Sequence, residues 1–393
     1  MVGAALACAL GQQGFTVALI ENVPPDLSWP KDDYDIRVSA ITRASQHVFE
    51  NLDAWQVMLR RRVCPYRQMQ VWDATGHGHV HFDSAEIAEP DLGHIIENSV
   101  IQASLWERLI EIESVEQFCS IQPVHIDITQ QLASLTLADH RTISAKLIVG
   151  ADGGRSWVRE QLGYESKGWS YQQDAVVATV RHELDHQECC WQRFAADGPL
   201  AFLPLDEKTS SIVWSTTPEH AKQLLALENI AFLKALQLNF GDDLGHMLDV
   251  GQRAAFPLRL AHTVHYTGPR LAFIGDAAHS IHPLAGQGVN LGLGDMSALV
   301  DVLLAANERG EELGDASVLR RYERARKADN LLMLGVMDGF KRLFSNEQPV
   351  LKFARNIGLN MTDQLSPVKQ LIMQQALGSA SNRSSLAKPP IPR

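Results

Sequence analysis

The first residues of the chain contain two short apolar segments separated by glycines. Residues 1–10 carry small or apolar side chains and are followed by Gly11 and Gly14, which predicts a buried helix and a tight turn. Residues 15–20 form a second apolar run that ends at Glu21, which predicts a buried strand followed by an acid. This order is typical of the second half of a dinucleotide-binding βαβ unit.

Such a unit needs a glycine-rich turn before its helix and an acid after its second strand. The turn and the helix N-terminus bind a pyrophosphate, and the acid binds ribose hydroxyls. Gly3 fits the third glycine of a GxGxxG motif, and Glu21 fits the acid. Because the first strand and two glycines are not in the sequence, we expect Met1 to be an internal methionine of a longer chain that binds its cofactor better. An ordinary helix–strand unit with a surface Glu21 fits this segment equally well.

The rest of the chain alternates between helical patterns and a sheet-rich middle. A hairpin is predicted at residues 68–82, with Gly76 and Gly78 in its turn. Strand patterns dominate residues 170–260, three or so helices fill the C-terminal part, and residues 381–393 are predicted to be a disordered tail. The predicted helices are 45–62, 100–112 and 218–238, and the predicted strands are 135–137, 147–149, 175–181, 191–194, 200–205, 211–215 and 270–274.

Composition excludes several classes of protein. The 393 residues carry a net charge of −11, which disfavours a nucleic-acid binder because that function needs a basic face. Mean hydropathy is −0.11, and no apolar run in the sequence approaches the roughly 20 residues needed to span a bilayer. The five cysteines include no CxxC pair, which indicates free thiols in a reducing cytoplasm rather than disulfides or a cysteine zinc site.

A long glycine-rich stretch, residues 275–292, carries the strongest chemical signal. A predicted buried strand ends at Gly275 and Asp276, and ligands bind at such strand ends in open α/β sheets. The Asp276 carboxylate is suited to accept hydrogen bonds from ribityl or ribose hydroxyls.

The second half of this stretch suits a flat ring. Pro283 and Gly286 define a loop with little side chain, which lets a ring approach the backbone. Gly288, Val289 and Asn290 open the next helix, whose free amides and dipole stabilise a developing anion. A glycine-rich turn without a ligand is the alternative, and the length of the constrained stretch argues against it.

A second glycine-acid motif lies at residues 149–159, where it again follows a strand and opens a helix. Asp152 is the acid of this motif. Cofactor contact and a structural pairing of Asp152 with Arg159 explain the residues about equally well.

The order of a partial GxGxxG, a DG motif and a GD motif resembles that of the group A flavoprotein aromatic hydroxylases. Within this group, residues 282–292 together with Asp295 resemble the signature of the ubiquinone-biosynthesis hydroxylases of the UbiH, UbiF and UbiI/VisC types. Residues 37–41 and 93–98 resemble the same family, so the resemblance covers nearly the whole chain.

The resemblance implies an α/β fold in which a Rossmann-like FAD-binding domain is interleaved with a mainly antiparallel-sheet substrate domain, followed by C-terminal helices. The FAD-binding domain would be discontinuous and lack its first strand. The implied boundaries are 1–62, 100–165 and 265–310 for the FAD-binding domain, 63–99 and 166–264 for the substrate domain, 311–380 for the helices and 381–393 for the tail.

The resemblance also assigns roles to matching residues. Glu21 would bind the adenosine ribose, and Asp276, after Gly275, would bind the ribityl chain. Arg37 and Gln102 would line the path of the adenine and pyrophosphate, although a surface ion pair and a solvated helix position explain these two as well.

Other residues would lie near the flavin ring. Asp152 would touch the flavin side and its own loop, and residues 288–290 would meet the isoalloxazine edge. The backbone of Pro283 would lie near the flavin peroxide. His279 and His282 are interpreted as structural, so no side-chain base is assigned.

The implied reaction is FAD-dependent monooxygenation. NAD(P)H reduces the flavin, O2 gives a C4a-hydroperoxide, and the ring of a polyprenylated phenol or quinol precursor is hydroxylated. NAD(P)H would dock transiently, because no second glycine-rich fingerprint follows a strand. Aromatic side chains of the sheet would roof the substrate, although plain sheet core explains most of them better; these are Trp191, Phe194, Phe202 and Trp214.

The resemblance further implies a cytoplasmic protein, either free or peripherally associated with a membrane or a ubiquinone-biosynthesis complex, and a homo-oligomer is compatible with it. Two other functions stay open on the sequence. One is a different flavin reaction on the same fold, such as halogenation or prenyl reduction; the absence of a WxWxIP pattern argues against halogenation. The other is a flavin-poor scaffold subunit of a biosynthetic complex.

Two histidine clusters have the spacing of metal sites. Residues 182–186 match HExxH, but that motif works on a helix and here it leaves a strand, so a polar turn is predicted. His77, His79 and His81 alternate along the predicted hairpin without a fourth ligand, which favours a solvated edge.

Overall fold

The computed structural model describes residues 1–28, 34–74, 76–195, 198–280, 288–344, 349–378 and 384–391. The helices formed by these residues are distributed along the whole chain. They are α1 (Val2–Gln12), α2 (Arg43–Asn51), α3 (Trp55–Arg61), α4 (Asn98–Ile110), α5 (Trp157–Gln161), α6 (Pro218–Ala226), α7 (Asn229–Phe240), α8 (Gly288–Glu308), α9 (Ala316–Phe344), α10 (Pro349–Gln364) and α11 (Ser366–Ala376).

The strands alternate with these helices along the chain. They are β1 (Val17–Glu21), β2 (Val38–Ile41), β3 (Cys64–Tyr66), β4 (Gln68–Asp73), β5 (His79–Asp83), β6 (Gly93–Glu97), β7 (Val115–Cys119), β8 (Pro123–Ile128), β9 (Ala133–Leu137), β10 (Thr142–Ala145), β11 (Ile148–Gly150), β12 (Ser166–His182), β13 (Cys189–Ala195), β14 (Gly198–Asp206), β15 (Thr209–Thr216), β16 (Met247–Thr263), β17 (Thr267–Gly268), β18 (Leu271–Phe273) and β19 (His279–Ser280).

A large sheet occupies the middle of the chain. Its eight strands run in the order β19-β16-β12-β15-β14-β13-β4-β5, and neighbours are antiparallel except for the parallel pair β13 and β4. One face of this sheet packs on α6 and α7 around a core that includes Phe202, Trp214 and Phe232. The mainly antiparallel sheet predicted from the sequence is therefore confirmed, including the hairpin of β4 and β5.

Two further parallel pairs lie in smaller sheets. β1 pairs with β7 in parallel, and β11 pairs with β18 in parallel, in separate sheets of the described residues. Every residue of α1 from Ala4 to Gly11 is buried, because the helix packs between α4 and α8. The small side chains that mark this segment in the sequence let neighbouring elements approach closely, and Gly11 is an example: a Cβ on it would lie 2.5 Å from Val115, the first residue of β7.

Helix α8 is the one described helix with the length and apolar composition of a membrane span. The sequence predicts that no apolar run approaches the length of a membrane span, and α8 differs from that prediction. Half of the apolar window is buried inside the protein, where α8 packs against α1, α2 and α9. A core helix has the same length and composition as a span, and the packing of α8 is that of a core helix.

Two predicted helices are each broken in the structure. The predicted helix 45–62 is α2 and α3, because Asp53 adopts a left-handed conformation (φ +55°) between the fully buried side chains of Leu52 and Ala54. The predicted helix 218–238 is α6 and α7, because Leu227 is extended at the end of α6. Helical periodicity alone reveals neither break.

Part of the predicted disordered tail is ordered. A short 3-10 helix, Ser385–Ala387, packs on α2 and α8. The Ser385 amide donates a hydrogen bond of 3.0 Å to the Asp301 carboxylate, and Asn51 donates one of 2.9 Å to the carbonyl of Leu386. The polar groups of the segment make these hydrogen bonds. Composition alone cannot tell such bonded polar residues from solvated ones, so the sequence predicts a disordered tail.

Candidate active site

The GD motif forms a tight turn at the end of β18. Gly275 has a φ of +59°, a left-handed conformation that glycine adopts without strain, and its carbonyl accepts a hydrogen bond of 2.8 Å from the Ala278 amide. Strand β18 and Ile274 are fully buried, whereas the Asp276 side chain is exposed. The turn therefore presents one carboxylate from an otherwise buried segment.

Neighbouring protein removes part of the hydration of the Asp276 carboxyl. Surrounding protein raises the pKa of Asp276, and His279 and Arg37 oppose this shift. A carboxylate that is accessible and yet poorly hydrated gains from accepting hydrogen bonds of ligand hydroxyls.

The DG motif is tied to the GD turn by Arg159. Its guanidinium donates hydrogen bonds of 2.9 Å to the carbonyl of Ala277 and 2.7 Å to the carbonyl of Gly154. The Asp152 carboxylate accepts a hydrogen bond of 3.0 Å from the Val158 amide at the start of α5. The alternative that Asp152 and Arg159 pair with each other is therefore wrong: Asp152 holds its own loop, and Arg159 joins the two motifs.

The first turn of α1 completes the same region. A Cβ on Gly3 would lie 3.1 Å from the Cβ of Ala151, so α1 contacts the DG loop closely. Glu21 ends β1, and its carboxylate accepts a hydrogen bond of 3.2 Å from the Val23 amide. Its role toward a cofactor stays a prediction.

Arg37 and Gln102 occupy different environments. The Arg37 guanidinium is exposed and lies 5.5 Å from the ring centre of Phe256, in a cation–π contact, and it is near enough to affect the pKa of Asp276. This contact differs from the surface ion pair that was the alternative for Arg37. Gln102 is half-buried on α4.

The first turn of α8 is formed by Gly288, Val289 and Asn290, all half-buried. The first amides of a helix have no partner within it, so this turn offers donors to a ligand. The Asn290 side chain is already engaged, because its Nδ2 donates a hydrogen bond of 2.7 Å to the carbonyl of Ala40. The predicted Pro283 and Gly286 lie outside the described residues.

The convergence of these segments fits a dinucleotide. A Cβ on Gly292 would lie 2.7 Å from the Val2 side chain and 3.1 Å from the Cα of Gly275, so α1, α8 and the GD turn meet too closely for a side chain at Gly292. A Cβ on Gly154 would lie 3.1 Å from Ser280. Close backbone approach, helix N-termini and carboxylates at strand ends are the features that bind FAD in this type of fold.

An apolar cavity of about 160 Å³ lies beside this region, between the large sheet and α11. Ala40 is part of its wall, and the carbonyl of Ala40 accepts the hydrogen bond from Asn290 in the first turn of α8. Ala40 therefore contacts both the cavity and α8. Other wall residues come from β3, β14, β15 and α11: Tyr66, Leu203, Val213, Ile372 and Met373.

The four predicted roof aromatics do not form a roof over the cavity. Trp191 contributes to the cavity wall, but its ring packs 6.3 Å from that of Phe240 on the α7 face of the sheet, where Phe202 and Trp214 are fully buried. Phe194 packs with Val71 in another cluster. The sheet-core explanation is therefore correct for most of these side chains.

The histidine clusters have ordinary structural roles in the part of the chain described. Strand β12 ends at His182, whose Nδ1 and Nε2 lie 2.7 Å from the carbonyl of Leu184 and 3.0 Å from the hydroxyl of Ser210. His79 and His81 lie on the edge strand β5, but α10 packs against this edge, which differs from the predicted solvated edge: their amides donate hydrogen bonds of 3.1 and 3.0 Å to the side chains of Asn360 and Asp363. No group of three or more metal-ligating side chains occurs among the described residues.

Comparisons with known proteins agree with this geometry. A family model described as an FAD binding domain matches residues 1–330. Over 379 residues the chain is 40% identical to the 3-demethoxyubiquinol 3-hydroxylase of Escherichia coli K12, covering 96% of each protein. It is 36% identical over 379 residues to the ubiquinone hydroxylase UbiL of Rhodospirillum rubrum, covering 96% of this chain and 88% of that protein.

The fold is shared with solved monooxygenase structures. PqsL, a probable FAD-dependent monooxygenase from Pseudomonas aeruginosa, matches with a TM-score of 0.76 at 21% identity, over 92% of this chain and 97% of that chain. The predicted fold class, the FAD cofactor and the monooxygenase class are confirmed. The chain belongs to the FAD-dependent monooxygenases and, within them, to the family of the ubiquinone hydroxylases.

Proposed function

We propose that the protein hydroxylates the aromatic ring of a polyprenylated phenol or quinol precursor in ubiquinone biosynthesis. The observation that carries this proposal is the hydrogen bond between Asn290 and the carbonyl of Ala40. Ala40 lines the apolar cavity, and Asn290 lies in the first turn of α8, at the flavin end of the FAD site. A ring in the cavity is therefore adjacent to the reactive end of the cofactor.

The chemistry of the cavity suits such a substrate. Its wall is mainly aliphatic, and its polar groups are few, among them the Tyr66 hydroxyl, Gln192 and Ser215. A few hydroxyl and amide groups are enough to orient the oxygens of a phenol, and an apolar wall excludes water from the reaction.

The roles of the FAD-binding residues are part of the proposal. Glu21 binds the adenosine ribose, Asp276 binds the ribityl chain, and Arg37 and Gln102 line the path between them. The amides of residues 288–290 face the isoalloxazine edge, where a helix N-terminus stabilises negative charge. Bound FAD supplies the redox chemistry by which electrons from NAD(P)H activate O2.

We also propose that the protein works in the cytoplasm at a membrane surface, where a polyprenylated substrate resides. Support comes from α11, which closes the cavity and carries Val368, Leu371 and Ile372 exposed to solvent. Ile372 also belongs to the cavity wall, so the apolar surface is continuous with the cavity. A homo-oligomer or an assembly with other biosynthetic enzymes is compatible with this arrangement.

Rapid-mixing kinetics with a matched pair of phenols tests the function. We expect a prenylated phenol to accelerate flavin reduction by NADH or NADPH and to yield a hydroxylated product, identified by mass spectrometry. The same phenol without its prenyl chain should act weakly. Rapid reduction that ignores both phenols, or reduction without a hydroxylated product, would favour a different flavin reaction on this fold.

Two variants separate the cofactor site from the cavity. Asp276→Ala should lower FAD affinity by about ten- to a hundredfold, because a hydrogen bond to a charged group contributes about 1.5–3 kcal/mol. Ala201→Phe, which fills the cavity, should raise the KM for the phenol and leave FAD affinity within about twofold. Equal FAD affinity in Asp276→Ala and the unmodified protein would contradict the assigned role.

A further inference from the structure

A buried carboxylate lies directly behind the GD turn. Asp295 is on α8, and no part of it is exposed. Its Oδ2 accepts a hydrogen bond of 3.2 Å from the Gly275 amide and lies 2.5 Å from Nε2 of His279. Its Oδ1 accepts hydrogen bonds of 3.0 Å from Nε of Arg326 and 2.9 Å from Nδ2 of Asn330.

A carboxylate without solvent needs such partners to stay charged. Burial raises the pKa of Asp295, but His279 and Arg326, together with the hydrogen bonds, outweigh burial and hold the pKa below its ordinary value. Truncating a buried ion-pair member leaves the others uncompensated, so each member of the group depends on the carboxylate. His279 is 2% exposed and Asn330 is fully buried.

The two oxygens of Asp295 face two different parts of the fold. Oδ2 faces the GD turn, and Oδ1 faces α9, where Arg326 and Asn330 lie four residues apart. Arg326 also donates a hydrogen bond of 2.9 Å to the Asn330 side chain, so the α9 pair is itself fixed. The carboxylate therefore connects α9 to the GD turn through one side chain.

The GD turn depends on this connection at its first amide. Other hydrogen bonds hold the turn on both sides of that amide: the Ile274 amide donates one of 3.0 Å to the carbonyl of Gly150, and Arg159 and Thr263 donate ones of 2.9 and 3.0 Å to the carbonyl of Ala277. The Gly275 amide itself is held by Asp295, and glycine has the widest choice of backbone conformations once that bond is lost. A changed conformation at Gly275 redirects Asp276, the next residue.

We propose that Asp295 is a positioning residue for FAD, which aims the Asp276 carboxylate by holding the Gly275 amide and His279, with Arg326 and Asn330 fixing Asp295 from α9. Asp295 lies behind the turn and acts on the cofactor only through Gly275 and Asp276. The inference concerns cofactor binding and is independent of the ring that the enzyme hydroxylates.

Asp295→Asn tests the proposal, because it keeps the size of the side chain and removes its charge. Asp301→Asn is the matched control: it lies on the same helix and binds Ser385 instead of the GD turn. FAD affinity is measured by titrating apoprotein and following flavin fluorescence, and the geometry of bound flavin is followed by visible circular dichroism. Both readouts work without substrate.

We expect the FAD dissociation constant to rise by about tenfold or more in Asp295→Asn and to change less than twofold in Asp301→Asn. The visible circular dichroism of the bound flavin should change only in the first variant. A dissociation constant and spectrum equal to those of the unmodified protein would overturn the proposal, whatever happens to the melting temperature of the apoprotein.

Arg326→Lys and Asn330→Ala keep the proposal testable if Asp295→Asn fails to fold. Each removes part of the support of Oδ1 and leaves the Asp295 charge, so FAD affinity should fall about three- to tenfold. Unchanged FAD affinity in both variants would overturn the proposal as well. Absence of hydroxylation with normal FAD binding would instead count against the proposed substrate.

Discussion

The Asn290 side chain donates a hydrogen bond of 2.7 Å to the main-chain oxygen of Ala40, and its Oδ1 accepts one of 3.1 Å from the Thr42 amide. These two bonds join the first turn of α8 to the end of β2. Because Ala40 also lines the apolar cavity, these hydrogen bonds tie the proposed flavin end of the FAD site to the wall of the cavity.

Asn290→Ala should uncouple the reaction. Without the two bonds, the cavity wall and the cofactor shift relative to each other, and misplacement of reacting atoms by a fraction of an ångström is enough to slow the transfer. The ratio of hydroxylated product to NAD(P)H consumed should fall by about half or more, with hydrogen peroxide accounting for the difference. Asn307→Ala, at the exposed end of the same helix, is the control and should keep the original ratio. A normal ratio in Asn290→Ala would argue against the connection.

Arg159→Met should weaken FAD binding by separating the two glycine-acid motifs. Its two hydrogen bonds to the carbonyls of Ala277 and Gly154 come from a charged donor that is partly exposed, so we expect a loss of about 1 kcal/mol, or about fivefold in affinity. Arg155→Met is the matched control, because Arg155 is exposed in the same loop. Titration of both apoproteins with FAD measures the difference. Equal FAD affinities in the two variants would contradict a role of Arg159 in FAD binding.

His94 should make the protein acid-sensitive. Burial lowers the pKa of His94 to about 4, opposed by Asp91 and reinforced by Arg43. The unfolded chain takes up a proton near pH 6.5 and the folded protein only near 4, so stability is complete above about 6.5 and falls as the pH drops towards 4. The loss from this group should reach about 2.5 kcal/mol near pH 4.5.

Urea unfolding at about pH 7 and pH 4.5 measures this loss. His94→Gln should have a smaller decrease in unfolding free energy between the two pH values than the unmodified protein. His125→Gln, which changes an exposed histidine on β8, should match the unmodified protein. The prediction is wrong if His94→Gln and His125→Gln have the same pH dependence.

The sequence predicts the elements that depend on local patterns. The sequence predicts the strand before Gly275 and the hairpin of β4 and β5, because each needs residue types at fixed spacing. The break of the predicted helix 45–62 at Asp53 was missed, because no glycine or proline marks it.

The partners of the site residues depend on packing, which local patterns do not encode. Arg326 and Asn330 follow Asp295 by 31 and 35 residues, and only the packing of α9 on α8 brings them together. Their spacing of four residues on one helix face was the available signal. For Arg159 the sequence offers Asp152 as one possible partner, close in sequence, whereas the guanidinium donates to the carbonyl of Ala277 in another motif.

Isotope labelling tests the central claim of monooxygenation most directly. The purified protein with FAD, NAD(P)H and a prenylated phenol is supplied with oxygen-18 gas in ordinary water, and the product is analysed by mass spectrometry. The account predicts one labelled oxygen on the aromatic ring of the product. A product whose new oxygen comes from water, or consumption of NAD(P)H and O2 without any ring hydroxylation, would contradict it.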